Sequence, residues 1–264
     1  MLMPSAKLSL KVLSLFGFVA LCWSEWPEPR IASGTTVVVF RTPTVAVLSA
    51  DSGVFSQQGR GHNECKIAQF GKVFIGHAGI IRDKLGYDLV ADVSEAVRKG
   101  GSLKEIADRW QESSIDPLTR AMTWVWKHDP SYFAKYFQEK DSPDVAFVTF
   151  EDNEPAFAER DFTTSVMNGK LEVLPREPQD CPGKCPISAV VERTLGYNDT
   201  ADQLVASTEF RKANSLVEAS YKMIKSEADA HPDAVAEPIS ILIIDKSGAH
   251  WAPGHQGVCP DIAP

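Results

Sequence analysis

The chain is 264 residues long, 44% apolar and 23% charged, with 35 acidic against 27 basic residues and a formal net charge of −8. That length allows one domain of ordinary size or two small ones, and the composition is that of a globular protein with an ample core. The acidic excess argues against nucleic acid as a partner, because nothing in it would neutralise phosphates.

The first residues differ in kind from the rest. Lys7 and Lys11 precede an apolar run over residues 12–21, and the small residues Cys22 and Ser24 follow at the spacing of a signal-peptidase site. The run is short for a membrane span, which needs about 20 apolar residues. A secretory signal over residues 1–24 is therefore expected, followed by a proline-containing linker or propeptide over residues 25–34. On this reading the protein is secreted or periplasmic, and not membrane-anchored.

Two β-branched runs, 36–40 and 45–50, are predicted strands, and the polar, glycine-containing stretch 51–63 is a predicted loop. Residues 65–70 and 72–78 form the next predicted hairpin, turning at Gly71. These four strands read as one meander, apolar on both faces, as expected inside a layered fold. Over residues 83–98, Leu85, Leu89, Val93 and Val97 recur at helical spacing. Ser102 with Glu105 makes a capping box for a second helix that continues past Pro117. The aromatic cluster Trp124, Trp126, Tyr132, Phe133, Tyr136 and Phe137 is assigned to core packing, with a carbohydrate or partner surface as the alternative.

Strands are expected again at 145–150, 156–163 and 170–174, the last two joined by the hairpin signal Asn168-Gly169. A proline- and cysteine-rich loop over 175–186 leads to helices at 187–195 and 210–228, and strands at 239–245 and 250–251 close the body. Beyond Cys22, the cysteines Cys65, Cys181, Cys185 and Cys259 permit two disulfides in three pairings. Cys181 and Cys185 are close enough for a local staple, and Cys259 is placed to tether the tail. A zinc site is disfavoured because no second compact pair exists. Strands and helices alternate in blocks, which argues an α+β fold of stacked layers with two facing sheets and helices outside.

Gly34-Thr35-Thr36, then Val47-Leu48-Ser49-Ala50-Asp51-Ser52, then Lys66-Ile67, then Gly76-His77-Ala78-Gly79 with Asp83, resembles the opening of a proteasome β-type subunit. Those are threonine peptidases of the N-terminal-nucleophile hydrolase superfamily. The likeness is close over residues 34–83, and beyond that only the order of elements agrees. It implies a four-layer αββα sandwich over residues 35–252, with a C-terminal tail over 253–264. It also implies that Thr35 is a nucleophile freed by self-cleavage after Gly34. Asp51 would orient Lys66, whose ammonium lowers the pKa of the neighbouring hydroxyl or amine. Gly79 would offer its backbone N–H to the oxyanion of the tetrahedral intermediate. His77 falls where the family lines its specificity pocket, and Asp233 where it has an accessory acid. The chain lacks the family's Gly-Ser-Gly triplet, and Ala236 and Glu237-Pro238 stand where the family has a serine and two glycines.

The chemistry makes sense of these residue types. A threonine that becomes an N-terminus is both nucleophile and base, since its own α-amino group takes the hydroxyl proton. The expected function is an exported threonine-type peptidase or amide hydrolase that needs no cofactor or metal and takes a peptide or protein substrate. The resemblance adds a homo-oligomeric ring, and export leaves no place for an ATPase partner. The alternatives are a catalytically silent structural or assembly subunit, and an amidase acting on a small molecule.

Overall fold

The computed structural model describes residues 30–263, apart from residues 33–34, 57–58, 84, 182–189, 208–209 and 211–212. The expected signal segment, Gly34 and Cys185 therefore lie outside the described residues. The chain opens with strands β1 (Arg30–Ala32), β2 (Thr36–Arg41), β3 (Val45–Ala50), β4 (Gly53–Ser56), β5 (Gly59–Asn63), β6 (Ile67–Phe70) and β7 (Val73–Arg82). Helices α1 (Leu89–Arg98), α2 (Leu103–His128) and α3 (Pro130–Tyr136) come next. They are followed by β8 (Asp141–Glu151), β9 (Glu154–Met167), β10 (Lys170–Pro175), β11 (Gln179–Cys181) and β12 (Val191–Gly196). Helices α4 (Asp199–Val205) and α5 (Leu216–Ala230) lead to β13 (Ser240–Asp245) and β14 (Gly248–Trp251).

The protein is thus a mixed α+β chain whose described strands pair antiparallel. A seven-stranded sheet has the order β1-β7-β8-β9-β10, with β6 on β7 and β11 on β9. A five-stranded sheet runs β12-β2-β3-β13-β14, and β4 and β5 form a separate hairpin. The expected four-stranded meander does not form: β2–β3 belong to the five-stranded sheet and β6–β7 to the seven-stranded one. Strands apolar on both faces need a cover on each side, and two sheets satisfy this better than one. The stretch 51–63, expected to be a loop, carries the β4–β5 hairpin. Residues 191–196, expected to be helical, are β12, because their backbone completes the edge of β2.

Helix starts follow local capping. The first helix begins at Leu89, not at 83, because the Asp83 carboxylate accepts from the backbone N–H groups of Leu85 and Tyr87 and holds a turn there. Asp88 then caps the helix by accepting from Ala91 N. The capping box of Ser102 and Glu105 forms as expected, and α2 runs on through Pro117.

Alternation along the strands divides the apolar side chains among three cores. Leu89, Val93, Trp110, Met122 and Phe133 of the first three helices pack on Val73, Ile75, Val145, Phe147 and Phe162. Trp110 sits at the centre, its ring 5.6 Å from that of Phe147 and 5.7 Å from that of Phe162. Phe133 and Phe137 of the aromatic cluster are buried here, in line with the core-packing assignment. Between the two sheets lie Val37, Val39 and Leu48 against Phe74, Ala146, Val148 and Phe157. Val38, Phe40 and Ile241, on the other side of the five-stranded sheet, meet Ala219, Met223 and Ile224 of α5. Burying each such large side chain contributes about 1.5–3 kcal/mol.

The tail after β14 is tied back onto the body. Cys65 and Cys259 form a disulfide, and Gln69 exchanges hydrogen bonds of 2.9 and 2.8 Å with the backbone of Ala263. Cys181 is also disulfide-bonded; its expected partner, Cys185, lies outside the described residues. No helix among the described residues is long and apolar enough to cross a membrane.

Candidate active site

Thr35 immediately precedes β2, Asp51 follows the end of β3, and Lys66 immediately precedes β6, so one residue comes from the end of each of three strands. The Asp51 carboxylate is saturated. Its Oδ1 accepts from Thr36 N at 3.0 Å and Lys66 Nζ at 2.9 Å, and its Oδ2 accepts from Gly53 N at 3.0 Å and Ala236 N at 3.1 Å. Two backbone bonds fix the same corner, Asp51 N to Thr36 O at 3.2 Å and Ser52 N to Ala236 O at 3.0 Å. Ala236 stands where the resemblance calls for a serine, and its main chain does the holding.

Lys66 Nζ donates to Thr35 Oγ1 at 2.8 Å as well as to Asp51. Thr35, Asp51 and Lys66 are 2%, 1% and 1% exposed, so this chain of polar groups is dry. Burial pushes the Lys66 ammonium pKa below its usual value, and the charge and hydrogen bond of Asp51 oppose that shift. A buried ammonium is tolerated only with such a partner.

β12 closes over the start of β2. Thr35 O accepts from Tyr197 N at 2.9 Å, and Thr36 Oγ1 donates to Tyr197 O at 2.9 Å. Gly196 has φ +79°, and a side chain there would run into the Thr35 carbonyl. A helical reading of this segment hides both Gly196 and Tyr197. The available signal was the β-branched run of Val190, Val191 and Thr194 ending in a glycine.

A cavity of about 780 Å³ opens at Thr35, with Ala78, Gly79, Ser142, Asp144, Gly196 and Tyr197 among its walls. Gly79 has φ +89°, and a side chain at that position would meet Ser142 and Pro143. The same backbone turn breaks the alternation of β7. Phe74 and Ala78 face the inter-sheet core, Val73 and Ile75 face the helices, and past Gly79 it is Ile80 that joins the helix-packed core.

The two remaining expected residues lie elsewhere. His77 is 3% exposed and alternates with Val73 and Ile75, away from the cavity wall on which Ala78 and Gly79 lie. Its Nδ1 has no hydrogen-bond partner. Burial, with the neighbouring Lys66 charge, lowers its pKa to about 3. Asp233 is exposed, within electrostatic reach of Lys135 and Tyr197, and takes no part in the Thr35–Lys66–Asp51 chain.

Among the described residues, Asp144, Glu159 and Asp161 on the cavity wall have carboxylate oxygens within 4.8 Å of one another, the spacing of a metal-ligand set. Asp161 faces Arg176 at 3.7 Å and Glu159 faces Arg193 at 3.7 Å. Chemically, the site offers a hydroxyl touching a buried lysine, a carboxylate that fixes the lysine, and a positive-φ glycine on the wall of a cavity. In comparisons with known proteins, no family model matches the chain and no curated protein matches it.

Proposed function

We propose that this chain is a threonine-type amide hydrolase of the N-terminal-nucleophile kind, matured by cleavage between Gly34 and Thr35. One observation carries the reading: a fully buried Asp51–Lys66 pair, its carboxylate bonded on both oxygens, ends on Thr35 Oγ1 at 2.8 Å, at the wall of a cavity. Burying an ion pair rarely improves stability, and a perturbed lysine in a cleft marks a candidate reactive centre. The stacking of helices, sheet, sheet and helices seen in the three cores supports an αββα sandwich of that superfamily.

In self-cleavage, Thr35 Oγ1 adds to the Gly34 carbonyl while its proton passes to Lys66 Nζ, whose lowered pKa makes the neutral amine accessible. The Gly34–Thr35 C–N bond then breaks, the Thr35 nitrogen takes up a proton, and water hydrolyses the ester. The freed α-amino group serves as base for later turnovers. In each, the substrate carbonyl carbon bonds to Oγ1, its oxyanion is met by the Gly79 N–H, the amine departs with a proton, and water releases the acid. The substrate is a peptide or protein, the enzyme works outside the cytoplasm without an ATPase, and a homo-oligomeric ring remains part of the reading.

Mass spectrometry of the purified mature chain tests this directly. The expected N-terminus is Thr35, and Thr35→Ala abolishes both processing and hydrolysis. A folded wild-type chain beginning near Glu25 would make it a catalytically silent relative, and hydrolysis surviving in Thr35→Ala would place the nucleophile elsewhere.

A further inference from the structure

Thr35 is held by a backbone corner whose own support comes from elsewhere in the chain. Tyr197 forms that corner between β12 and α4: its N–H donates to Thr35 O, and its carbonyl accepts from Thr36 Oγ1. Asp202 N donates to Asn198 O at 2.9 Å, so the residue after Tyr197 is built into the first turn of α4. Fixing that turn fixes Tyr197.

The turn is not capped locally. Asn198 stands at the N-cap and is of a residue type that caps well, yet its side chain makes no cap hydrogen bond. Glu227 of α5 takes its place. The Glu227 Oε1 accepts from Thr200 N at 2.7 Å and Ala201 N at 2.6 Å, the donors that an N-cap side chain ordinarily satisfies. Ala201 is buried and packs with Ala219, Met223 and Ile224 of α5, which brings the two helices within this reach. One turn further, at the end of α5, the His231 ring lies against that of Tyr197, with centroids 4.9 Å apart. Its Nε2 is 3.7 Å from Glu227 Oε2. One stretch of α5 therefore supports Tyr197 twice, through its main chain and through its ring.

Stability alone does not explain this carboxylate. Glu227 is 0% exposed, and among the described residues its Oε2 has no hydrogen-bond partner. A local cap would satisfy the same N–H groups without taking a carboxylate out of water.

We propose that Glu227 is a positioning residue for Thr35: it fixes the first turn of α4 and with it the Tyr197 corner, while His231 steadies the Tyr197 ring. The inference rests on Thr35 being the nucleophile for its effect on rate, and not for the clamp itself. Once the chain is cut after Gly34, Thr35 has nothing on its amino side, and the bonds on its carbonyl side carry its orientation. A displacement of about 1 Å at a reacting group costs on the order of 100-fold in rate, so a clamp two steps removed still governs turnover.

The test follows hydrolysis of fluorescein-labelled casein and hydrogen exchange by mass spectrometry, both on the mature protein. Glu227→Ala is expected to lower kcat per folded molecule about tenfold, with KM within about twofold of wild type. Glu227→Gln keeps an oxygen that accepts from both N–H groups, and should stay within about threefold of wild type. His231→Ala, at a half-buried position that leaves the cap in place, should lower kcat severalfold. In Glu227→Ala, peptides over residues 192–198, which carry the Tyr197 N–H but not the capped donors, should exchange about tenfold faster, while 45–50 and 240–245 stay protected. Wild-type kcat in Glu227→Ala, unchanged exchange over 192–198, or an equal rise over 45–50 and 240–245 would overturn the proposal. Should Glu227→Ala fail to fold, His231→Ala decides: lower kcat with faster exchange over 192–198 supports the clamp, and wild-type values of both overturn it. If the wild-type protein leaves casein intact, exchange still decides the clamp, and the failure belongs to the nucleophile reading alone.

Discussion

Asp51 receives one hydrogen bond from a side chain and three from backbone N–H groups, and that imbalance sets what each substitution does. Lys66→Met removes the counter-ion and leaves a buried carboxylate among amides, at a cost of about 3–5 kcal/mol. Adding Asp51→Asn removes the buried charge but sets an amide NH2 against a backbone N–H, so it should restore only part of the stability and none of the activity. Urea unfolding of the single and double variants measures this, and a Lys66→Met protein as stable as wild type would show that the pair is not what holds the corner together. His77 gives the second prediction at this scale. Its folded pKa of about 3 lies below the ordinary 6.5, so as pH falls the unfolded chain takes up the proton first. Its contribution is fully present above pH 6.5 and is lost progressively towards pH 3, up to roughly 5 kcal/mol. His77→Phe keeps the bulk without the proton site, so its unfolding free energy should fall less between pH 6.5 and 4.5. Identical pH slopes for the two proteins would exclude His77 as the acid-sensitive group.

β12 decides whether Thr35 is held, and it is the strand hardest to see from the chain. Among the described residues its one strand neighbour in the sheet is β2, 150 or more residues away in sequence, and no local propensity encodes such a partner. Ala189 and Val190 just before it and Leu195 within it suit a helix equally well, which is why a helix is the natural local reading. By contrast, β2 and β3 are legible because their β-branched runs and the turn between them are local. Asp51 and Lys66 were legible only through spacing against a known pattern. The acids of the cavity wall were not, because Asp144 and Asp161 become neighbours only through the β8–β9 register. Gly196→Ala tests the role of β12. The added methyl collides with the Thr35 carbonyl in a left-handed backbone, so a loss of roughly 2–3 kcal/mol is expected, with hydrolysis falling further than stability accounts for. Thermal unfolding and kcat/KM on the same samples check it, and a variant with normal activity would detach β12 from the site.

Across the molecule the two large sheets are joined by apolar packing and, among the described residues, by the Cys65–Cys259 disulfide. Cys65 leads into β6 of the seven-stranded sheet, and Cys259 lies in the tail that leaves β14 of the five-stranded sheet. Trp251 Nε1 donates to Pro260 O at 3.0 Å, and Ile241 N to His255 O at 2.8 Å, so the tail is seated on its own sheet before it crosses. The link closes a loop over a separation of 194 residues, and constraining the unfolded chain on that scale is worth about 3–5 kcal/mol. Its position matters as much as its size, because Cys65 is the residue before Lys66. Loosening it frees the backbone that aims Nζ at Thr35. The double variant Cys65→Ser/Cys259→Ser, which leaves no stray thiol from this pair, should therefore unfold at lower denaturant. It should also lose several-fold in kcat/KM at temperatures where it is still fully folded. If activity per folded molecule is unchanged, the disulfide stabilises the sheets without positioning the lysine, and the β6 entrance is held by its pairing with β7 alone.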